Sequence, residues 1–235
     1  VINAGCKSPY QAVWAVEGDI QGCFDNISHR ILLQKVWRMG IHDKRVLKII
    51  SQMLKAGYIE RDLYHKTETG TPQGGILSPL LSNIYLNDFD WYVGRTYMEP
   101  HRKCKHKCND TRRLKWAGTT PKYNFRYADD WVVLTSTEKE AFRMKRELTK
   151  YFRQKLKLEL SQEKTYVTDL RKGGIHFLGY IVKAERKRKT PDPATWTEHL
   201  VGKPLPDMER LSKKIASLLE QVHRIELYSK PNTQD

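Results

Sequence analysis

The chain has 235 residues, 39% of them apolar, which is enough to bury a core for one large domain or two small ones. Lys and Arg outnumber Asp and Glu by 42 to 27, a formal charge of +15, which points to a polyanionic partner, nucleic acid first and an anionic membrane surface second. No apolar stretch is long enough to span a bilayer, no signal-peptide pattern opens the chain, and the four cysteines (Cys6, Cys23, Cys104, Cys108) are too scattered for a disulfide framework, so a soluble intracellular protein with reduced thiols and no membrane partner is expected.

The opening "VINAGCKSPYQ" lacks Met and runs quickly into an apolar segment, so residues 1–11 read as the remainder of something that begins upstream. "AVWAV" (12–16) predicts a buried strand with Asp19 at its C-terminal end. "NISHRILLQKVWRMG" predicts a helix with Asn26 or Ser28 as cap and Gly40 as stop, and a second helix is predicted from Asp43 to Gly57. Residues 58–69 suit a hairpin. "GTPQGG" (70–75) is a loop, after which Ser78 is predicted to cap a long helix with Pro79 at its first position and Leu80, Leu81, Ile84, Tyr85 and Phe89 facing inward.

Residues 98–122 are basic and irregular, an insertion loop. "YNFRY" and "WVVLT" predict two strands joined by an Asp pair, and Thr137 with Glu140 a capping box for a helix of about 20 residues. Strands are predicted at 165–170 and 175–183. Residues 184–206, rich in charge and proline, predict a linker. A last helix, 207–224, spaces Met208, Leu211, Ile215, Leu218 and Val222 as one apolar stripe. The tail 229–235 is expected to be disordered.

Two adjacent carboxylates, Asp129 and Asp130, stand between apolar runs, and Asp19 ends another. If the strands are neighbours, three carboxylates converge. Such a cluster repels itself and raises its own pKa values unless cations neutralise it. Magnesium suits it, preferring oxygen ligands and leaving room for substrate phosphates. Two such ions about 4 Å apart can clamp an in-line displacement at phosphorus. The competing reading is an ordinary hairpin turn with solvated aspartates.

The blocks "EGDIQGCFDNISH" (17–29), "GTPQGGILSPLLSNIYLNDFD" (70–90) and "RYADDWVVL" (126–134), followed in order by "LELSQEKT" (158–165) and "FLGY" (177–180), resemble the reverse transcriptase family, most closely the group II intron-encoded reverse transcriptases, or maturases. The resemblance spans about residues 12–183. It implies an α+β fold, a right-hand polymerase palm of antiparallel strands backed by helices (12–183), with a thumb beginning at 207–228 and residues 1–11 a remnant of the fingers. It implies RNA-directed DNA synthesis from dNTPs on an RNA template, from a DNA or RNA primer, with two Mg2+ ions (Mn2+ as a substitute) on Asp19, the carbonyl of Ile20, Asp129 and Asp130.

By the same resemblance, Phe24 is the gate under the sugar that disfavours a ribose, and Gln73 and Gly74 contact the incoming nucleotide. Lys164 is the general acid toward pyrophosphate, and Phe177, Leu178 and Gly179 form the primer grip. Group II intron RNA is the implied further partner, with splicing assistance, in a bacterial cytoplasm or an organelle matrix.

Arg102, Lys103, Lys105, Lys107, Arg112 and Arg113 in the insertion loop, and Lys213 and Lys214 on the last helix, are candidate RNA contacts. His101, Cys104, His106 and Cys108 invite a zinc reading, but four ligands within so short a run are cramped for a structural zinc site. Two rivals remain: a retron, diversity-generating or CRISPR-associated reverse transcriptase, and a splicing-only RNA-binding protein without polymerase activity. The family's upstream fingers and its domains beyond the thumb find no room in these residues, which leaves the activity of this chain alone open.

Overall fold

A computed structural model of the chain describes residues 12–55, 58–60, 63–65, 69–71, 75–98, 120–188 and 198–228. The expectations for residues 1–11, Gln73, Gly74, the basic loop with its zinc candidates, and the tail concern residues outside these.

β1 (Trp14–Gly18) opens the fold. α1 (His29–Arg38) starts at Ser28, whose Oγ accepts a hydrogen bond from the Ile31 amide, and Leu32 and Val36 turn inward. α2 (Lys44–Lys55) begins after Asp43, whose carboxylate accepts from the Arg45 amide at 2.8 Å. β2 (Tyr58–Glu60) and β3 (Leu63–His65) pair as the predicted antiparallel hairpin.

α3 (Ser78–Val93) differs at its start. Leu77 occupies the cap position with no side-chain bond, and Ser78 and Pro79 are the first two helical residues. Leu81, Tyr85 and Phe89 are buried as expected, but Leu80 is 57% exposed: a step of 100° along the helix carries it off the core stripe.

β4 (Tyr123–Tyr127) and β5 (Asp130–Thr135) are the two strands on either side of the acidic pair. α4 (Glu138–Tyr151) follows, capped by Thr137 Oγ1 on the Glu140 amide, and runs on as a π-helical segment to Leu156. The second half of the predicted capping box is diverted, since the Glu140 carboxylate accepts from Thr120 Oγ1 at 2.7 Å and pairs with the buried Lys122.

With β6 (Tyr166–Asp169) the main sheet has the order β4-β5-β1-β6, antiparallel throughout. Its central strands are covered on both faces. Val16, Trp131 and Val133 pack into the helical core with Leu32, Tyr85, Phe89, Met144 and Phe152. Ala15, Val132 and Leu134 pack on the other face with Ile175 and Val182. Burial on both faces is why "AVWAV" and "WVVLT" read as continuous apolar runs and not as alternating ones.

Two expectations are corrected beyond β6. The strand predicted over 175–183 is broken into β7 (Ile175–Phe177) and β8 (Tyr180–Arg188) by a two-residue turn. Leu178 and Gly179 have φ of +54° and +79°, as a hairpin turn that matches strand twist requires. The segment 184–206 is no plain linker: β8 continues to Arg188 and pairs with β9 (Glu198–Pro206). Its prolines, Pro204 and Pro206, sit in an edge strand of the β7-β8-β9 sheet, where a missing N–H is tolerated, and Lys203 pairs with Glu185 across it.

α5 (Met208–Tyr228) follows at once, with Asp207 accepting from the Arg210 amide at 3.0 Å. Met208, Leu211, Ile215 and Leu218 are exposed.

Candidate active site

Gly18, the last residue of β1, pairs with Trp131 of β5. One further step of that register sets Asp19 across from Asp130, with backbones on the order of 5 Å apart. Asp129 stands in the two-residue turn between β4 and β5, where Tyr127 pairs with Asp130. Ala128, at the first central position of this turn, has φ +54°, a conformation that costs an L-residue roughly 1–2 kcal/mol. The sheet thus gathers at one end Asp19 and an adjacent aspartate pair more than a hundred residues further along the chain.

The local path after Asp19 is fixed by backbone bonds. Ser161 N donates to Asp19 O and Gln21 N to Glu159 O, each at 3.0 Å, flanking an antiparallel bridge between Ile20 and Leu160. In such a narrow pair the residue between the bonds turns its own N–H and C=O the other way. Ile20's own N–H and C=O therefore point away from the 159–161 segment. Gly18 allows the close approach of β5: a Cβ there would overlap the Trp131 indole.

A cavity of about 290 Å³ opens at this point, lined by Asp19, Asp130, Lys164, Tyr166, His176 and Phe177 among others. Lys164 Nζ lies 2.9 Å from Asp19 Oδ2, and Asp19 holds the exposed ammonium above its usual pKa. Burial first, then Asp129 and Asp19, push the Asp130 carboxyl above the ordinary range, with Arg210 and Lys164 pulling the other way. The Cys23 thiol beneath is pushed up to about 12, mainly by burial, and next by Asp129.

The donors are hard oxygens with a mutual repulsion to relieve, and a cation already stands on Asp19; this chemistry fits magnesium. Among the described residues no group of three or more His, Cys, Asp or Glu side chains is close enough to hold an ion as it stands.

The acidic turn is braced from α3. Arg126 Nη2 is 2.6 Å from Asp90 Oδ2, its Nε donates to Asp90 Oδ1 at 3.1 Å, and its Nη1 donates to Asn83 Oδ1 at 2.9 Å and to Ala128 O at 2.7 Å. Asn124 adds a bond to Asp90 at 3.0 Å. Sequence reasoning missed Arg126, Asp90, Asn83 and Asn124. Arg126, Asp90 and Asn83 lie inside the quoted blocks and Asn124 just before one, but no local signal pairs an arginine with a helix so distant in the chain.

Phe24 is half-buried just beyond Asp19, and its carbonyl accepts from the Thr71 amide at 2.7 Å, while Gly70 N donates to Ile27 O at 2.7 Å. Gly70 has φ +90°, and a Cβ there would lie 2.8 Å from the Asp25 carbonyl oxygen. Glycine lets the chain leading to Gln73 lie against the loop that follows Asp19.

On the other side, Phe177 lines the acidic cavity, while Leu178 and Gly179 line a groove of about 800 Å³ shared with Arg210, Lys213 and Lys214. His176 Nδ1, 2.9 Å from Asp207 Oδ2, ties this hairpin to the start of α5. Lys213 pairs with Glu209. Among the described residues no helix is long and apolar enough to cross a membrane.

Comparison with known proteins identifies the family and the fold. The family described as reverse transcriptase (RNA-dependent DNA polymerase) matches residues 3–182. The group II intron-encoded protein LtrA of Lactococcus lactis subsp. cremoris is 37% identical over 216 residues, covering 74% of this chain and 36% of its own length. Protein YkfC of Escherichia coli (strain K12) is 34% identical, with 74% and 48% covered, and the putative COX1/OXI3 intron 1 protein of Saccharomyces cerevisiae 31% identical, with 81% and 26% covered. The chain thus spans about a quarter to a half of these relatives.

Among solved structures, an apo telomerase from Candida tropicalis superposes with a TM-score of 0.50 at 15% identity, covering 72% of this chain and 34% of that one. At that identity it shows the shared polymerase palm fold alone. On the matched family and the intron-encoded relatives, the chain belongs to the reverse transcriptase family, among its group II intron-encoded members.

Proposed function

We propose that this chain forms the palm and the first part of the thumb of an RNA-directed DNA polymerase that copies group II intron RNA. It extends a primer 3′-hydroxyl with dNTPs. The observation that carries the reading is the β1–β5 pairing, which ends at Gly18 and Trp131 so that the next residues, Asp19 and Asp130, line one cavity, with Asp129 in the adjoining turn. Residues 12–183 make the palm and 207–228 the start of the thumb, and residues 1–11 belong with the fingers.

Asp19, Asp129, Asp130 and the Ile20 carbonyl would hold two magnesium ions. When bound, these lower the pKa of the attacking hydroxyl and balance charge on the departing pyrophosphate. Lys164 acts as proton donor to that pyrophosphate. Its raised pKa keeps it protonated through neutral pH, and it must release Asp19 to serve. Phe24 underlies the sugar, and Gln73 and Gly74 contact the nucleotide. Phe177, Leu178 and Gly179 support the primer end, between the acidic cavity and the groove along α5. Lys213, Lys214 and the basic residues Arg102 to Arg113 contact RNA backbone. That relatives are intron-encoded supports intron RNA as a partner, and assisting the splicing of that RNA is the second task in this reading.

The test is primer extension by the full-length protein, fingers included, with oligo(dT) on poly(rA) and magnesium or manganese. Incorporation is expected, falling on the order of a hundredfold or more in Asp129→Asn and in Asp19→Asn, since each removes charge stabilisation from the reacting centre. RNA binding without incorporation in either metal would favour the splicing-only reading.

A further inference from the structure

We propose that one flank of α4 is a second RNA-binding surface, built for folded RNA with unpaired bases and separate from the groove for template and primer. It rests on the RNA-handling part of the reading above and not on polymerase chemistry.

α4 sorts its side chains into three stripes. Ala141, Met144, Leu148 and Phe152 face the core. On one flank the acids are consumed inside the protein: Glu140 by Thr120 and Lys122, Glu147 by the Tyr97 hydroxyl. The opposite flank carries Phe142, Arg146, Lys150 and Arg153 in steps of three or four, so they align along the helix, with Lys145 beside Arg146. They line a groove of about 800 Å³ whose lining includes Thr149, Gln154 and Gln162 but no acid. It shares no lining residue with the acidic cavity or with the groove along α5.

The charge of this flank remains available. Lys145 Nζ donates to the Thr165 carbonyl at 2.6 Å, a neutral partner that leaves its charge uncancelled. Arg153 meets Glu159 at 3.2 Å, but both are mostly exposed, and such a pair holds little in water. From Phe142 to Arg153 the stripe runs about 17 Å, the rise of about five phosphates of one strand.

Phe142, half exposed, offers a ring for an unpaired base, and Thr149, Gln154 and Gln162 can read base edges or a 2′-hydroxyl. A membrane surface would need a row of apolar residues where this flank has one. An acidic peptide would use the cations but not the ring and amides.

The test compares the intact chain with the charge-reversed variant R146E/K150E/R153E and, separately, with Phe142→Ala. Binding to an RNA hairpin with an unpaired loop and to a blunt RNA–DNA duplex is measured across a salt series. Charge reversal is expected to weaken hairpin binding about tenfold or more and to lower the salt slope by about 2, with duplex affinity changed less than about twofold. Phe142→Ala is expected to cost about tenfold with the slope unchanged.

The conservative variant R146K/K150R/R153K should bind as the parent does. If charge reversal unfolds the chain by near-UV circular dichroism, R146Q/K150Q/R153Q takes its place. Unchanged hairpin binding, an equal loss for hairpin and duplex, or competition by oligoglutamate as effective as by RNA each overturns the proposal. Primer extension is read separately in the full-length protein, so a full-length protein inactive in extension but binding the hairpin through α4 refutes the polymerase reading and leaves this one standing.

Discussion

Arg126 is the residue whose removal should most clearly expose how the acidic turn is held. Its guanidinium joins three places: the Asp90 carboxylate and the Asn83 side chain on α3, and the carbonyl of Ala128 in the turn itself. The Arg126 side chain is 10% exposed and that of Asp90 34%. Truncation to methionine strands Asp90 with Asn124 as its remaining neutral donor.

Breaking a fully buried pair costs about 3–5 kcal/mol, but water reaches a third of Asp90, so about 2–3 kcal/mol is expected for Arg126→Met. Arg126→Lys keeps the charge and loses the fork, for about 1–1.5 kcal/mol. Adding Asp90→Asn to Arg126→Met removes the stranded charge, so the double variant should recover at least about 1 kcal/mol relative to additivity. Urea unfolding with unchanged m-values measures the parent, the two Arg126 variants, Asp90→Asn alone and the double variant. If Arg126→Met and Arg126→Lys both lie within about 0.5 kcal/mol of the parent, as an ordinary surface change does, the brace contributes nothing and the argument fails.

Asp130 gives a prediction about pH. Its folded-state carboxyl is raised by burial and by Asp129 and Asp19, so ionising it costs stability. That cost is absent below the unfolded carboxyl value of about 3.9 and grows as pH rises through the raised folded value. Asp130→Asn should therefore melt higher than the parent at neutral pH and equally below that range. A gain that persists in acid would show a different cause. Gly18→Ala should destabilise by about 1–3 kcal/mol, because the new methyl meets Trp131, itself 1% exposed and packed on Phe89 and Phe152. Adding Trp131→Phe should restore part of the loss, and no recovery in thermal melts would place the strain elsewhere.

Local chemistry alone made most elements legible. Ser28, Asp43 and Thr137 are caps because a short side-chain oxygen can reach the free amides of a first helical turn, and the acidic pair separates an aromatic run, YNFRY, from a β-branched one, WVVLT. The order and wording of the blocks carried the family. Tertiary structure decided what periodicity cannot encode. Leu178 adopts a left-handed conformation because Phe177 and Tyr180 must pair, and a propensity reading extends a strand straight through it. The charged, proline-bearing segment after Ala184 becomes strand because β8 offers it a partner and its outer edge stays free.

The sequence by itself determined which side chains could do the chemistry: aspartates at the ends of apolar runs, a lysine after a short turn, glycines where backbones come close. Only the folded sheet decided that Asp19 and Asp130 line one cavity, that Lys164 stands on Asp19, and that Arg126 reaches across to Asp90. Strand register and helix docking are set by burial summed over the whole core, and no short window of sequence contains that sum.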